Sequence, residues 1–209
     1  AHIEPRHSLD EYVAALRSHR QAMRYLAALF LYSVGINTIQ VNLTRFATHV
    51  LGVSDGDALK LFLILVLLTG ALALPAAKLA GRVGIKTVLI GGMLLIAVAA
   101  LSALVVQSVA QVIPVLILAG IGNGCLTLAW PLLTMLIPPE RVGVFAGLMT
   151  SAQSISAFFS GFIAAAMVNT WGYRSIFLVL LVAIVASLST LITVRVAPLA
   201  RYAAPSARG

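Results

Sequence analysis

The chain has 209 residues, of which 61% are hydrophobic and 10% are charged. Soluble domains are about 45–50% apolar and about 25% charged, so this composition excludes an ordinary soluble fold and indicates a protein solvated by a lipid bilayer. The net charge of +8 does not indicate a nucleic-acid partner, because the basic residues lie between long apolar runs without interleaved aromatic residues. Cys125 is the single cysteine, which excludes an intrachain disulfide.

Six apolar runs have the length that a membrane-spanning helix needs, which is about 20 residues. We place these spans at residues 23–47, 59–80, 86–107, 110–137, 143–168 and 173–195. The gaps between them are short and carry glycine, proline or charged residues, so consecutive helices are expected to run antiparallel. The sequence therefore predicts an all-α membrane protein, with residues 23–196 forming a bundle of six transmembrane helices.

The two ends of the chain lack spanning segments. Residues 1–22 are predicted to be a cytoplasmic linker, in which Ser8 and Glu11 form a capping box ahead of a short amphipathic helix on the membrane surface. Residues 197–209 are predicted to be a disordered cytoplasmic tail. The chain opens on Ala1 without a signal-peptide pattern, and we interpret it as a fragment whose upstream partner is missing.

Basic residues near the span ends fall mainly on one side of the predicted bundle. That side holds Arg6, Arg17, Arg20, Arg24, Lys78, Arg82, Lys86, Arg141, Arg195, Arg201 and Arg208. The opposite side holds Arg45, Lys60 and Arg174. Because loops rich in lysine and arginine stay in the cytoplasm, both termini are predicted to be cytoplasmic, in a multi-pass protein of the cell (inner) membrane.

Two spans carry polar side chains at membrane depth, where polar groups are costly. The first span has Ser33, Asn37, Gln40 and Thr44, and the fourth has Asn123, Thr127, Trp130 and Thr134. A spacing of three or four residues places each set on one helix face. The two spans lie three apart in order, as in a three-plus-three inverted repeat. The apolar third and sixth spans would then be the outer, lipid-facing helices.

These polar faces have two interpretations. Polar side chains in membrane helices often hydrogen-bond between packed helices, or they line a cavity for a solute. We favour the cavity, since amides donate to and accept from a solute and an indole stacks on its apolar face. The candidate solute-binding residues are Asn37, Gln40, Thr44, Asn123, Thr127, Trp130 and Gln153.

Two further features concern the shape and packing of the spans. Pro131 is predicted to kink the fourth span by freeing a carbonyl near Thr127. Small residues at four-residue spacing on the fifth span, such as Gly143 and Gly147, are predicted to allow close helix packing. The alternating glycines of the fourth span, at 120, 122 and 124, indicate either close packing or local flexibility.

The acidic residues argue against chemistry inside the membrane. All six lie outside the predicted spans: Glu4, Asp10, Glu11, Asp55, Asp57 and Glu140. An intramembrane proton relay usually needs a carboxylate or histidine at depth, so this chain alone is not expected to carry one. No set of His, Asp, Glu or Cys at one depth suggests an active site, a metal or a cofactor. The sequence predicts neither an enzyme nor a cofactor.

The segment at residues 74–86 resembles the cytoplasmic loop signature of the major facilitator superfamily, which reads Gly-x-x-x-Asp-Arg-x-Gly-Arg-Lys. The matching positions are Arg82, Gly84 and Lys86, which the resemblance implies to be part of a gating loop. The departures from the signature are Ala77, Gly81 and Ile85. Residues 138–148 and 171–177 are similar to the starts of the eleventh and twelfth helices in that family.

The resemblance covers about residues 15–196 and implies helices seven to twelve, the C-terminal half of a twelve-helix transporter. It implies a missing N-terminal six-helix half as partner, the lipid bilayer as environment, and a small organic solute carried by alternating access, in secondary active or facilitated transport. The alternative is a non-transporting membrane scaffold or receptor on the same fold. A neutral polar cavity is compatible with sugars, drugs or other small solutes.

Overall fold

The computed structural model describes residues 19–195, and the regular structure in that range is entirely helical. The helices are α1 (Arg20–Leu51), α2 (Asp55–Val83), α3 (Ile85–Val105), α4 (Val109–Leu126), α5 (Ala129–Thr134), α6 (Val142–Trp171) and α7 (Ser175–Thr193). A 3₁₀ turn at Pro139–Arg141 precedes α6. Within the described range six helices are long and apolar enough to cross a membrane, α4 and α5 together making the fourth. The predicted all-α, six-helix fold is confirmed.

The ends of the bundle follow from the short loops. α1 begins at Arg20 rather than at residue 23, and the predicted capping box and C-terminal tail lie outside the described residues. Since consecutive helices reverse direction, one end of the bundle holds Arg20 and Thr193, and we call it the terminal side. The opposite end, which holds Leu51 and Ser175, is called the far side.

Three glycines end helices in backbone conformations that other residues rarely adopt. Gly52, Gly84 and Gly172 have φ of 67°, 91° and 76°, and they follow α1, α2 and α6. Glycine tolerates positive φ because it has no Cβ. At the start of α2 the Ser54 Oγ accepts a hydrogen bond from the Asp57 backbone N–H, an N-cap that satisfies a free helix donor. These residues fix where the chain turns back into the bundle.

The fourth span is interrupted where the sequence predicted a kink. α4 ends at Leu126 and α5 begins at Ala129, two residues before Pro131. Proline has no backbone N–H and cannot continue the helical hydrogen-bond pattern. Two side chains satisfy carbonyls at the break: the Thr127 Oγ1 donates to the Gly124 carbonyl at 2.7 Å, and the Tyr25 hydroxyl donates to the Ala129 carbonyl at 2.7 Å.

The core lies around α1, which packs mainly on α7 and α6, while α4 packs on α3 and α2. The alternating glycines of α4 serve close packing. A Cβ on Gly120 would meet Leu68, one on Gly124 would meet Leu72, and one on Gly122 would lie 2.7 Å from the Gly92 carbonyl oxygen. The packing interpretation of these glycines is therefore the one the structure supports.

The fifth span departs from expectation. A Cβ on Gly143, Gly147 or Gly161 would meet nothing within 4 Å, so the predicted small-residue stripe packs on no helix of the described chain. The buried residues of α6 are instead Phe145, Ser156, Ser160 and Ala164. The periodicity was correct, but neighbouring stripes of small residues look alike in sequence, and the one that packs inside the chain is a different one.

The third and sixth spans each bury one face and expose the other. α3 leaves Leu94, Val98, Leu101 and Val105 uncovered, and α7 leaves Leu178, Val182, Val185 and Ile192. Such apolar stripes fit the predicted lipid-facing role. The least covered helices, however, are α2 and α6. α2 buries only three alanines along 29 residues, so most of its surface needs lipid or another protein segment as its neighbour.

Candidate functional site

A pocket of about 440 Å³ lies between α1 and α6, with part of its wall supplied by the fourth span. Its lining residues are Leu29, Tyr32, Ser33, Ile36, Asn37, Gln40, Leu126, Ala129, Met149, Thr150, Gln153, Ser154 and Ala157. The lining contains both polar and apolar side chains, and none of the described lining side chains is charged. A volume of this size lies within the range of small-molecule pockets.

Asn37 joins the two main walls of the pocket. Its Nδ2 donates a hydrogen bond of 3.1 Å to the Oγ of Ser156, across from α1 to α6. The Ser156 Oγ in turn donates to the Gln153 carbonyl at 2.7 Å, so this buried hydroxyl both accepts and donates a hydrogen bond. The Asn37 Oδ1 accepts no hydrogen bond from the described residues. Asn37 therefore has one interhelical bond and one free acceptor.

Gln40 and Gln153 face the same pocket with their amides free. Gln40 stands one turn after Asn37 on α1, and Gln153 stands on α6 near Ser156. Both side chains are exposed, and neither makes a side-chain hydrogen bond to the part of the chain that the structure describes. An amide offers two donors and an acceptor, so this pair can satisfy hydroxyl, carbonyl or amide groups of a neutral solute.

The structure brings three of the seven predicted site residues, Asn37, Gln40 and Gln153, into one pocket. The other four, Thr44, Asn123, Thr127 and Trp130, lie outside its lining. Asn123 accepts a hydrogen bond of 3.2 Å from the Tyr32 hydroxyl through its Oδ1, and Thr127 bonds within its own helix. The break after Leu126 separates α4 from α5, so the predicted polar stripe of the fourth span is not one continuous helix face.

Sequence reasoning missed Tyr32 as a pocket residue. Its ring lines the pocket while its hydroxyl reaches α4, and Tyr25 makes the matching contact with α5 one heptad earlier. A spacing of seven residues on a helix is the signal that could have paired the two tyrosines. Thr150 and Ser154 on α6 also line the pocket, and the sequence analysis did not name them as site residues.

A second cavity, of about 90 Å³, lies between α1, α2, α3, α4 and α7 towards the far side. Apart from Asn123, its lining is apolar, with residues such as Ile39, Leu43, Ile96 and Leu116. Apolar cavities of this size stay dry. It offers a polar solute a single amide, that of Asn123, whose Oδ1 already accepts a hydrogen bond from Tyr32. The pocket between α1 and α6 is therefore the better candidate site.

The three residues of the predicted gating loop have different surroundings. Gly84 turns the chain between α2 and α3, and Arg82 is exposed. Lys86 is half-buried, and its Nζ donates to the carbonyls of Ile192 and Val194 at 2.9 and 2.6 Å. Lys86 therefore binds the end of α7 in this structure, a contact that the loop signature alone does not reveal.

The six apolar helices are those of a multi-pass membrane protein, and a neutral pocket of small-molecule size lies between α1 and α6. The sequence model of the Major Facilitator Superfamily matches residues 12–208. The chain therefore belongs to the Major Facilitator Superfamily, whose members transport small solutes across membranes. No match is found among curated proteins.

Proposed function

We propose that this chain is the C-terminal half, helices seven to twelve, of a transporter that moves an uncharged polar solute by alternating access. The observation that carries the proposal is the neutral pocket between α1 and α6, in which the amides of Gln40 and Gln153 are free of protein partners among the described residues. A charged solute would need an opposite charge there, because an unpaired ion is costly away from water. Solutes with hydroxyl, carbonyl or amide groups fit this lining.

The proposed partner is an N-terminal six-helix half. Support comes from the uncovered surfaces of α2 and α6, since α6 carries the pocket wall and exposes polar residues such as Thr150 and Ser154 beside it. Polar groups left in contact with lipid are unfavourable. A second half that covers this face would complete the pocket and shield these groups. We propose no nucleic-acid partner.

The amides provide the test of the proposed site. Gln40→Ala and Gln153→Ala should weaken solute affinity by about tenfold per 1.4 kcal/mol of lost contact and leave thermal stability unchanged, because these amides have no described protein partner. Asn37→Ala should lower affinity and also Tm, since it removes the bond to Ser156. Uptake across a panel of solutes by the complete transporter in proteoliposomes, with Tm of each variant, measures both.

The matched control is Asn42→Ala, an asparagine on the same helix that is buried and bonds the Thr38 carbonyl. It should cost stability without changing affinity. Unchanged affinity in all three pocket variants would overturn the assignment of the pocket. A decrease in affinity that followed only the loss of folded protein would favour interhelical bonding as the role of the amides.

The orientation is proposed from charge. Arg82 and Arg141 lie on the terminal side with Arg20 and Thr193, so that side should be cytoplasmic. Single cysteines at positions 83, 142 and 203, in a Cys125→Ser background, should resist an impermeant thiol reagent in intact cells and react after permeabilisation. A cysteine in place of Asp55, an exposed residue on the far side, is the positive control. Labelling of all three positions in intact cells would contradict the orientation.

A further inference from the structure

The loops that lead into α3 and α7 share a pattern of glycine, any residue, then a basic residue. The first is Gly84-Ile85-Lys86 and the second is Gly172-Tyr173-Arg174. Both glycines have positive φ, and each donates its N–H at 2.9 Å to the carbonyl four residues earlier, closing the preceding helix. The two loops are at opposite ends of the bundle, before the third and the sixth span. The two loops are therefore similar in sequence and in the positive φ of the glycine.

Each basic residue binds the last carbonyls of the other helix. Lys86, at the start of α3, donates to the Ile192 and Val194 carbonyls at the end of α7. Arg174, at the start of α7, donates to the Leu104 carbonyl and, at 2.8 Å, to the Val106 carbonyl at the end of α3.

The two acceptor sites also match in backbone structure. Both helices end on a buried valine in extended conformation, Val106 after α3 and Val194 after α7. In each case the bound carbonyls are two residues apart along the chain. The two ends of this helix pair are therefore equivalent in both the donor and the acceptor.

We propose that Lys86 and Arg174 are reciprocal clamps that hold α3 and α7 together as one rigid pair. The last carbonyls of a helix lack intrahelical partners and carry partial negative charge, so a cation with several donors satisfies and stabilises them. At the midpoint the Ser187 hydroxyl contacts the Met93 sulfur at 3.8 Å. With both ends bound, sliding α3 along α7 breaks a clamp.

The clamps give Lys86 and Arg174 roles that the sequence analysis did not assign to them. Lys86 becomes a positioning residue, fixed on α7, rather than a moving part of a gating loop. The contact of Arg174 with the end of α3 explains why this basic residue occurs on the far side, where few basic residues are found. The clamps concern helix packing alone and do not depend on the proposed transport function.

Hydrogen exchange of the last helical turns tests the clamps in the complete protein. Lys86→Met should speed amide exchange in residues 191–195 by about tenfold or more and leave residues 102–106 unchanged. Arg174→Met should do the reverse. Lys86→Arg retains donors and should keep slow exchange in residues 191–195. The controls are Lys78→Met and Arg45→Met, exposed cations on the terminal and far sides, which should change neither segment.

Exchange that stays at the wild-type rate in both methionine variants would overturn the proposal. So would an equal increase at both ends in each variant, because that pattern reports general loosening rather than loss of one clamp. If a methionine variant fails to fold, Arg174→Lys takes its place. That variant keeps the charge but loses the fork of donors, so its exchange in residues 102–106 should be intermediate, and a wild-type rate there would contradict the clamp.

Discussion

Gly92→Ala is expected to destabilise the protein severely, while Gly91→Ala, at the adjacent position, is not. A Cβ on Gly92 would stand 2.5 Å from the Cβ of Cys125 and 2.9 Å from the Gly122 carbonyl oxygen, both fixed parts of α4. A Cβ on Gly91 would meet nothing within 4 Å. Overpacking of a core costs about 1–3 kcal/mol and occasionally more, and a clash with two backbone-anchored groups belongs at the upper end of that range.

The measurement is thermal unfolding of the two purified variants in one detergent. Gly92→Ala should lower Tm by about 6–12 °C, from a loss of about 3 kcal/mol at about 2–4 °C for each kcal/mol. Gly91→Ala should leave Tm unchanged or raise it slightly, because alanine favours helix by up to about 1 kcal/mol over glycine. Equal Tm values for the two variants would show that α3 and α4 do not cross at Gly92 and Gly122.

The helices of this fold could be predicted from the sequence because their signals are local. A run of about 20 apolar residues indicates a span without knowledge of its neighbours, and Pro131 indicates the break in the fourth span by its missing N–H. The superfamily could be recognised because residues 74–86, 138–148 and 171–177 resemble its motifs at suitable intervals. Each of these signals lies within a short segment of chain.

The site could be predicted only in part because it depends on how helices are rotated and paired. Asn37 and Gln40 share the α1 face that meets α6, and Gln153 stands across from them. Asn123 has the same spacing pattern in sequence but bonds Tyr32 beside a different, apolar cavity. Periodicity identifies a polar face, but it does not say which neighbour that face meets.

The same limit applies to Lys86 and Arg174. In sequence they are two basic residues at span ends, 88 positions apart, and each was interpreted through its own loop. Their shared role depends on the antiparallel pairing of α3 with α7, which brings the start of one helix to the end of the other. No local pattern contains that pairing, although the repeated glycine and basic residue are visible once the two helices are known to match.

Ala157→Trp is expected to abolish uptake without unfolding the protein. Ala157 lines the pocket between α1 and α6 and is exposed, so a larger side chain there extends into the empty volume rather than into packed neighbours. An indole ring would occupy part of the volume that the solute needs in the pocket that Gln40 and Gln153 also line. Excluding the solute removes all its contacts at once, and each 1.4 kcal/mol of lost contact is tenfold in affinity.

The matched control is Ala166→Trp, because Ala166 is also an exposed alanine of α6 but does not line the pocket. Uptake by the complete transporter in proteoliposomes should fall about a hundredfold or more in Ala157→Trp, as expected when several contacts are lost together, and stay near the wild-type rate in Ala166→Trp. Both variants should elute as folded protein with similar Tm. Wild-type uptake by Ala157→Trp would place the solute elsewhere, and equal loss in both variants would point to α6 as a whole rather than to the pocket.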